Sequence, residues 1–468
     1  QVLTIDGHDH NAIRSAIQSG KAEGNKPTLI IGKTIIGKGA MQEDGNAYEG
    51  EVETHGKPLG QSKASFAKTV ANLGGDANHP FEVFSDVAAY YLQVINRKKD
   101  MAAARKEEIA RWKEANPAKA AKLNAFLANK LPDIDWSAIL QKDTVATRGA
   151  SGAVLAHLAE KVENMIVASA DLSVSDKTDA FLNKTTAFSN GDFSGAFLQA
   201  GVSELTMAAL SVGMSLHGGV IPACATFFAF SDYMKPVIRV AALMELPCIF
   251  IWTHDSFRVG EDGPTHQPVE QEAQIRLLER LKNHSGKNSF VALRPADAHE
   301  TTHAWKFALE NKDTPTGLIL SRQDVPTLPS ENRFAAAAEL SKGAYVVQDA
   351  GDAPDVILLG NGSEVSTLVA GANLLRERKG LKVKVVSAPS EGLFRNQPAD
   401  YQQIVLPSGI PVFGLTAGLP VTLEALAGPQ GKVFGLDHFG YSAPAKVLDE
   451  KLGFNAENVF NQVTALMG

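Results

Sequence analysis

Short, continuous apolar runs alternate with longer amphipathic stretches through most of the chain. TLIIGKTIIG (28–37), MIVASAD (165–171), PCIFIWTHD (247–255), SFVALRPA (289–296), TGLILSRQ (316–323), DVILLGNG (355–362) and VKVVSAP (383–389) are the clearest of them. Runs this short and this apolar, bounded by turn residues, predict strands buried on both faces. The helical patterns between them predict crossovers, so the fold class expected is α/β with mainly parallel sheets.

The same pattern divides the chain into four. Residues 1–60 carry a strand, a helix over 11–24, a second strand and a Gly-rich stretch. Residues 61–142 change character, with the charged, Ala-rich RKKDMAAARKEEIARWKEANPAKAAKLNAFLANK predicting helix whose charges form a solvated face. Strand–helix alternation is densest over 143–330, and DVPTLPSE (324–331) has the composition of a linker. Residues 331–468 read as a smaller α/β unit. The length of 468 residues suits two to four domains at about 150 residues each.

Composition narrows the classes of function. A net charge of −7 leaves no excess of cations for binding nucleic acid broadly. Two cysteines, Cys224 and Cys248, do not make a disulfide framework and favour a reducing, cytoplasmic setting. No apolar run approaches the roughly 18 residues of a membrane-spanning helix. The chain opens at Gln1 directly on VLTI, as though entered partway through a domain, so an upstream portion is expected.

Candidate chemistry concentrates in IWTHDSFRVGEDGPTHQP (251–268), which follows a strand pattern and brings His254, Asp255, Arg258, Glu261, Asp262 and His266 into a Gly/Pro-rich loop. Loops at the carboxyl ends of parallel strands are where open α/β sheets bind ligands. Histidines there offer proton transfer near neutral pH. Zinc is a rival use of these residues, although neither H-E-x-x-H nor paired-Cys spacing occurs.

Phe227, Phe230 and Tyr233 recur at every third position, which predicts one helix face and either core or a pocket for a flat ring. Glu204 opens a helical, mostly apolar stretch, where an acid serves as a dipole partner or as a buried carboxylate. Arg148 and Arg322 stand among small or apolar residues, each a salt-bridge partner or an anion ligand. Ser175 follows another strand and could offer its hydroxyl. GNGSEV (360–365) is similar to a phosphate loop, although the full dinucleotide fingerprint and the Walker pattern are both absent. IDGHD (5–9) reads as a turn and helix cap, and His55 is a lone loop histidine.

Taken in order, IDGHDHNAI, THGKPLG, ATR, ASADLS, GVSE, ATFFAF, THDSFRVGEDGPTHQPVEQ, LRPAD and LILSRQ resemble the transketolase family along nearly the whole chain. The resemblance implies a three-domain, thiamine-diphosphate-dependent architecture, with residues 1–60 as the rear of the diphosphate-binding domain, 61–142 a helical linker region, 143–330 the pyrimidine-binding domain and 331–468 the C-terminal domain. It implies transfer of a two-carbon ketol unit from a ketose phosphate, such as xylulose 5-phosphate, to an aldose phosphate, such as ribose 5-phosphate or erythrose 4-phosphate, in the pentose phosphate pathway. A homodimer with active sites between subunits is implied as well.

By the same resemblance Glu204 would bond the cofactor's aminopyrimidine ring, and Phe227, Phe230 and Tyr233 would form its pocket. Arg148, Ser175, His254 and Arg322 would clamp the sugar phosphate, and Asp262 would read a substrate hydroxyl. His266 and His55 would stand around the reacting groups. The Mg²⁺ ligands are expected upstream, so no metal ligand is assigned within this chain. Ser203, Leu205 and Thr206 depart from the family's usual residues around the glutamate. A formaldehyde-accepting relative and a non-catalytic fragment or paralogue stay open as alternatives.

Overall fold

The computed structural model describes residues 1–351 and 353–468. It forms two compact units, Gln1–Ala115 and Asn116–Gly468. In the first unit, β1 (Val2–Asp6) and β2 (Leu29–Lys33) pair in parallel across the helix His10–Ala22. That helix starts one residue before the expected 11–24 because Asp9 caps it, accepting from the amides of Asn11 and Ala12. The helix Ser85–Ala115 keeps every residue at least partly exposed, and Tyr90, Tyr91, Leu92 and Met101 are well exposed along it.

The second unit is built on two sheets. After the short β3 (Thr144–Val145), a six-stranded sheet is formed by β4 (Met165–Ser169), β5 (Phe197–Gln199), β6 (Ile221–Phe227), β7 (Ile249–Thr253), β8 (Val291–Leu293) and β9 (Thr316–Leu320). Its order is β5-β4-β6-β7-β9-β8, parallel throughout, so all carboxyl ends emerge on one edge. Strand β7 shows why its apolar run does not alternate with polar residues. Ile249 and Ile251 enter the core containing Leu155 and Trp305, while Phe250 and Trp252 enter the one containing Met207 and Phe290. Both faces are covered, as a buried parallel strand requires.

The segment 324–331, expected as a linker, is woven into the fold instead. Its β10 (Val325–Pro326) pairs antiparallel with β3, and Leu328 is buried with its amide donating to Asp297 Oδ2 at 3.0 Å. Its prolines therefore mark a sheet-edge pairing rather than a tether. Beyond it lie β11 (Tyr345–Gln348), β12 (Val356–Gly360), β13 (Val383–Ser387), β14 (Val412–Leu415) and β15 (Lys432–Phe434), ordered β11-β13-β12-β14-β15 with only β11 antiparallel among the described residues.

An aromatic stack under the strand ends fixes the height of the six-stranded sheet's carboxyl edge. The Trp252 ring lies 5.6–6.0 Å from those of Phe228, Phe250 and Phe290. Gly317 on β9 leaves the space they use, since a Cβ there would stand 2.4 Å from Trp252 Cζ3 and 2.9 Å from Phe290 Cζ. Gly317→Ala should therefore lower unfolding stability by about 1–3 kcal/mol through overpacking. Urea denaturation of the two proteins measures it, and an unchanged midpoint would contradict this packing.

Candidate functional site

The carboxyl edge of the six-stranded sheet gathers most of the residues singled out in the sequence. Arg148 comes from the first turn of the helix Thr147–Lys161, Ser175 from the turn after β4, Phe227 and Phe230 from the end of β6, His254 from the end of β7, and Arg322 from just beyond β9. Four of these segments follow parallel strands, which deliver their loops to one side, and the Arg148 segment is tied to them by the hydrogen bonds between Thr147 and Ser321.

His254 is the hub. It takes a left-handed backbone (φ 61°), is 2% exposed, and stacks on Phe227 with ring centroids 3.6 Å apart. Arg148 Nη1 lies 3.4 Å from its Nε2, and Thr253 Oγ1 lies 2.8 Å from its Nδ1. A guanidinium can only donate, so Nε2 accepts and the ring proton is assigned to Nδ1, which donates to Thr253. Burial, reinforced by the charges of Arg148 and Arg322 and by His266, pushes this imidazole down to about 2, so it stays neutral.

Two arginines lie near this neutral ring, and neither has a carboxylate partner among the described residues. Burial and the nearby Arg322 lower the Arg148 guanidinium from its ordinary value, with Asp176 and Asp324 opposing. Those acids are already engaged. Asp176 accepts from Ser169 Oγ at 2.6 Å and from Thr178, and Asp324 Oδ1 accepts from the Ala146 amide at 2.9 Å. Arg148 Nη1 donates to the Ser175 carbonyl at 2.6 Å, so the Ser175 backbone orients the guanidinium. Arg148 Nε is buried and has no partner among the described residues. Uncompensated cations around an unpaired buried donor make a site for an anion.

Beside it lies an aromatic surface. Phe227, Phe230 and Tyr233 do not share a helix face, as their spacing suggested. Phe227 ends β6, Phe230 sits in a single tight turn, and Tyr233 lies in the helix Ser231–Leu243. The central-strand environment wins over the three-residue period. The rings still form a ladder, with centroids 6.0 and 6.2 Å apart, and Tyr233 is 62% exposed at its end. His266 joins edge-on, 5.3 Å from Phe230 and 6.3 Å from Phe227.

Glu204 begins the helix Glu204–His217 and is 8% exposed. Thr226 Oγ1, one residue before Phe227, donates to Glu204 Oε1 at 3.3 Å. Sequence reasoning missed this threonine, which carried no signal beyond its place in an apolar run. Asp262 is exposed on its loop, and His55 is an exposed residue of the first unit. No described group of three or more His, Cys, Asp or Glu residues could hold a metal ion.

GNGSEV is not a phosphate loop. Arg294 fills it, with Nη1 donating to the carbonyl and Oδ1 of Asn361 at 3.3 and 2.7 Å, and to Glu364. A Cβ on Gly362 would meet the Arg294 guanidinium at 2.7 Å, so the glycine serves the arginine's close approach.

Comparison with known proteins follows this geometry. Three family descriptions match in succession: the transketolase thiamine diphosphate binding domain over residues 1–132, the transketolase pyrimidine binding domain over 143–327, and the transketolase-like C-terminal domain over 343–455. The chain is 39% identical over 472 residues to a transketolase of Halalkalibacterium halodurans, covering 100% of this chain and 67% of the relative. Its structure is similar to transketolase from Leishmania mexicana, at 34% identity and a TM-score of 0.88, covering 100% of this chain and 66% of that one. It is similar also to the Pichia stipitis transketolase complex with sedoheptulose 7-phosphate, at 31% identity and a TM-score of 0.88, covering 100% and 67%. The chain thus spans about two thirds of the length of these relatives.

The depressed imidazole has a consequence for stability. As pH falls below the ordinary value of 6.5, the unfolded chain takes up a proton that folded His254 refuses. Stability from this group is thus full above that value and declines towards acid, by about 2 kcal/mol between pH 7 and pH 5. His254→Gln should remove this part of the acid sensitivity, read as a shallower fall in unfolding free energy over that range. Parallel pH profiles for the two proteins would contradict it.

Proposed function

Because the chain belongs to the transketolase family, we propose that it carries the substrate side of a thiamine-diphosphate-dependent transfer of a two-carbon ketol unit from a ketose phosphate to an aldose phosphate. The observation that carries this reading is the uncompensated Arg148–His254–Arg322 cluster beside Glu204 and the aromatic ladder. One part suits a phosphate, the other a flat polar ring.

The residues present fit the pyrimidine half of the cofactor. Glu204 is buried, has a single hydrogen-bond donor in Thr226, and would accept from the ring. Phe227, Phe230 and Tyr233 would pack against its faces. When bound, thiamine diphosphate supplies the nucleophilic carbon and the electron sink. Glu204 would orient the ring and hold a proton at its nitrogen. Arg148 and Arg322 would grip the sugar phosphate as charged donors, while neutral His254 supports Arg148 without adding charge of its own. His266, at the edge of the ladder, would hold or pass a proton at the substrate's oxygens, with His55 assisting and Asp262 bonding a hydroxyl. Xylulose 5-phosphate as donor, with ribose 5-phosphate or erythrose 4-phosphate as acceptor, suits this clamp. The Mg²⁺ site is not assigned to residues of this chain.

A homodimer belongs to the same reading. The outer faces of the helices Glu204–His217 and Ser231–Leu243 expose Leu205, Leu210, Leu216, Val240 and Leu243, an apolar surface suited to a second copy. Sedimentation velocity at micromolar concentration should show a dimer, and a monomer there would count against it.

Ketol transfer tests the function itself. With thiamine diphosphate and Mg²⁺, the complete protein should convert xylulose 5-phosphate and ribose 5-phosphate, with formaldehyde the poorer acceptor. Glu204→Ala should reduce turnover by about 100-fold or more. Near-normal turnover in that variant would overturn the mechanism, and equal use of formaldehyde would overturn the choice of acceptor.

A further inference from the structure

The loop 254–267 is strained and weakly self-supporting. His254, Gly260 and Gly263 all take positive φ, at 61°, 92° and 77°. Its own backbone bonds reach no further than three residues, such as Gly263 N to Gly260 O at 3.1 Å and His266 N to Gly263 O at 3.0 Å. A strained segment persists only where its surroundings over-determine it. Most of that support comes from the C-terminal part of the unit, about 100 to 190 residues further along.

Arg258 is the main anchor. Its Nε donates to Asp449 Oδ1 at 2.7 Å, and its Nη1 to Ser363 Oγ at 2.9 Å and Glu364 Oε1 at 2.5 Å. Phe257 packs against Phe454 with the rings tilted by 52° and their centroids 4.6 Å apart. Ser442 Oγ donates to the Glu261 carbonyl at 2.6 Å, and Gln267 Nε2 donates to the Tyr441 carbonyl at 2.9 Å. A Cβ on Gly263 would touch Ser442 Cβ at 3.3 Å, so loop and C-terminal segment approach closely there. These contacts bracket Asp262 and end one residue past His266.

We propose that the C-terminal sheet's loops set the conformation of the 254–267 loop, making Arg258, Asp449 and Ser442 positioning residues for Asp262 and His266. The C-terminal part thereby acts on the substrate site without touching it. The consequence for substrate rests on the function proposed above, whereas the positioning does not.

Hydrogen–deuterium exchange and steady-state kinetics separate the two. Ser442→Ala deletes one surface hydroxyl and should leave the fold intact, and Asp449→Ala removes one of the three Arg258 partners. Combined, they should speed exchange of the 259–266 amides about ten-fold. Amides of β7 should not change, and Glu457→Gln, which cuts the exposed Arg378–Glu457 pair, should change neither region. The kinetic expectation is a KM for ketose phosphate raised about five-fold together with a lowered kcat, because Asp262 would bind the substrate and His266 would move its proton. Unaltered 259–266 exchange in both variants would overturn the positioning, as would equal acceleration across β7. Faster loop exchange with unchanged KM would uphold the positioning and count against the substrate role given to the loop.

Discussion

The buried pairing of Arg294 with Asp255 and Glu364 is the constraint on which the rest of the second unit depends. Arg294 is 1% exposed, and its Nη2 donates to Asp255 Oδ2 at 2.6 Å while its Nη1 reaches Glu364. Taking such ions from water costs several kcal/mol apiece, which only near-ideal geometry offsets. Here the offset is a shared lattice of charge. Against burial, which pushes the other way, Arg294 and Arg258 together hold the Glu364 carboxyl below its ordinary value. Because Asp255 directly follows His254, while Glu364 opens a helix after β12, one arginine locks the edge of one sheet to the edge of the other.

That lock explains how cations can be left unpaired nearby. Carboxylates of the region are committed to Arg294, Arg258 and Arg276, or to hydroxyls and amides around Asp176. Arg148 and Arg322 are left facing a neutral histidine, with a buried guanidinium N–H unmet. A chain seeking stability alone would neutralise such a cluster. One that leaves it open is preorganised for an anion, as the proposed sugar-phosphate role requires.

Much of this was legible in the sequence for physical reasons. Double-sided burial writes continuous apolar runs, so β4, β7, β9, β12 and β13 could be read directly. The Gly/Pro-rich loop after β7 was visible because acids and histidines seldom cluster beside glycines without a turn to serve. Strand β6 was read as a helix face because two of its flanking aromatics happen to recur at a helical interval. GNGSEV is similar to a phosphate loop, without its full fingerprint, because its glycines accommodate a guanidinium much as they would an anion. The pairings of Arg294 with Asp255 and Glu364 join residues 39 and 70 positions apart, and no local pattern encodes them. The same holds for Thr226, whose hydroxyl matters only once the fold brings Glu204 beside it.

The most direct measurement of the account is a crystal structure of the thiamine-diphosphate-loaded protein with a ketose phosphate. The phosphate should sit on Arg148 and Arg322 beside His254, with the aminopyrimidine ring against Glu204 and the Phe227–Phe230 ladder. A sugar phosphate seated away from the two arginines, or a ring without contact to Glu204, would contradict it.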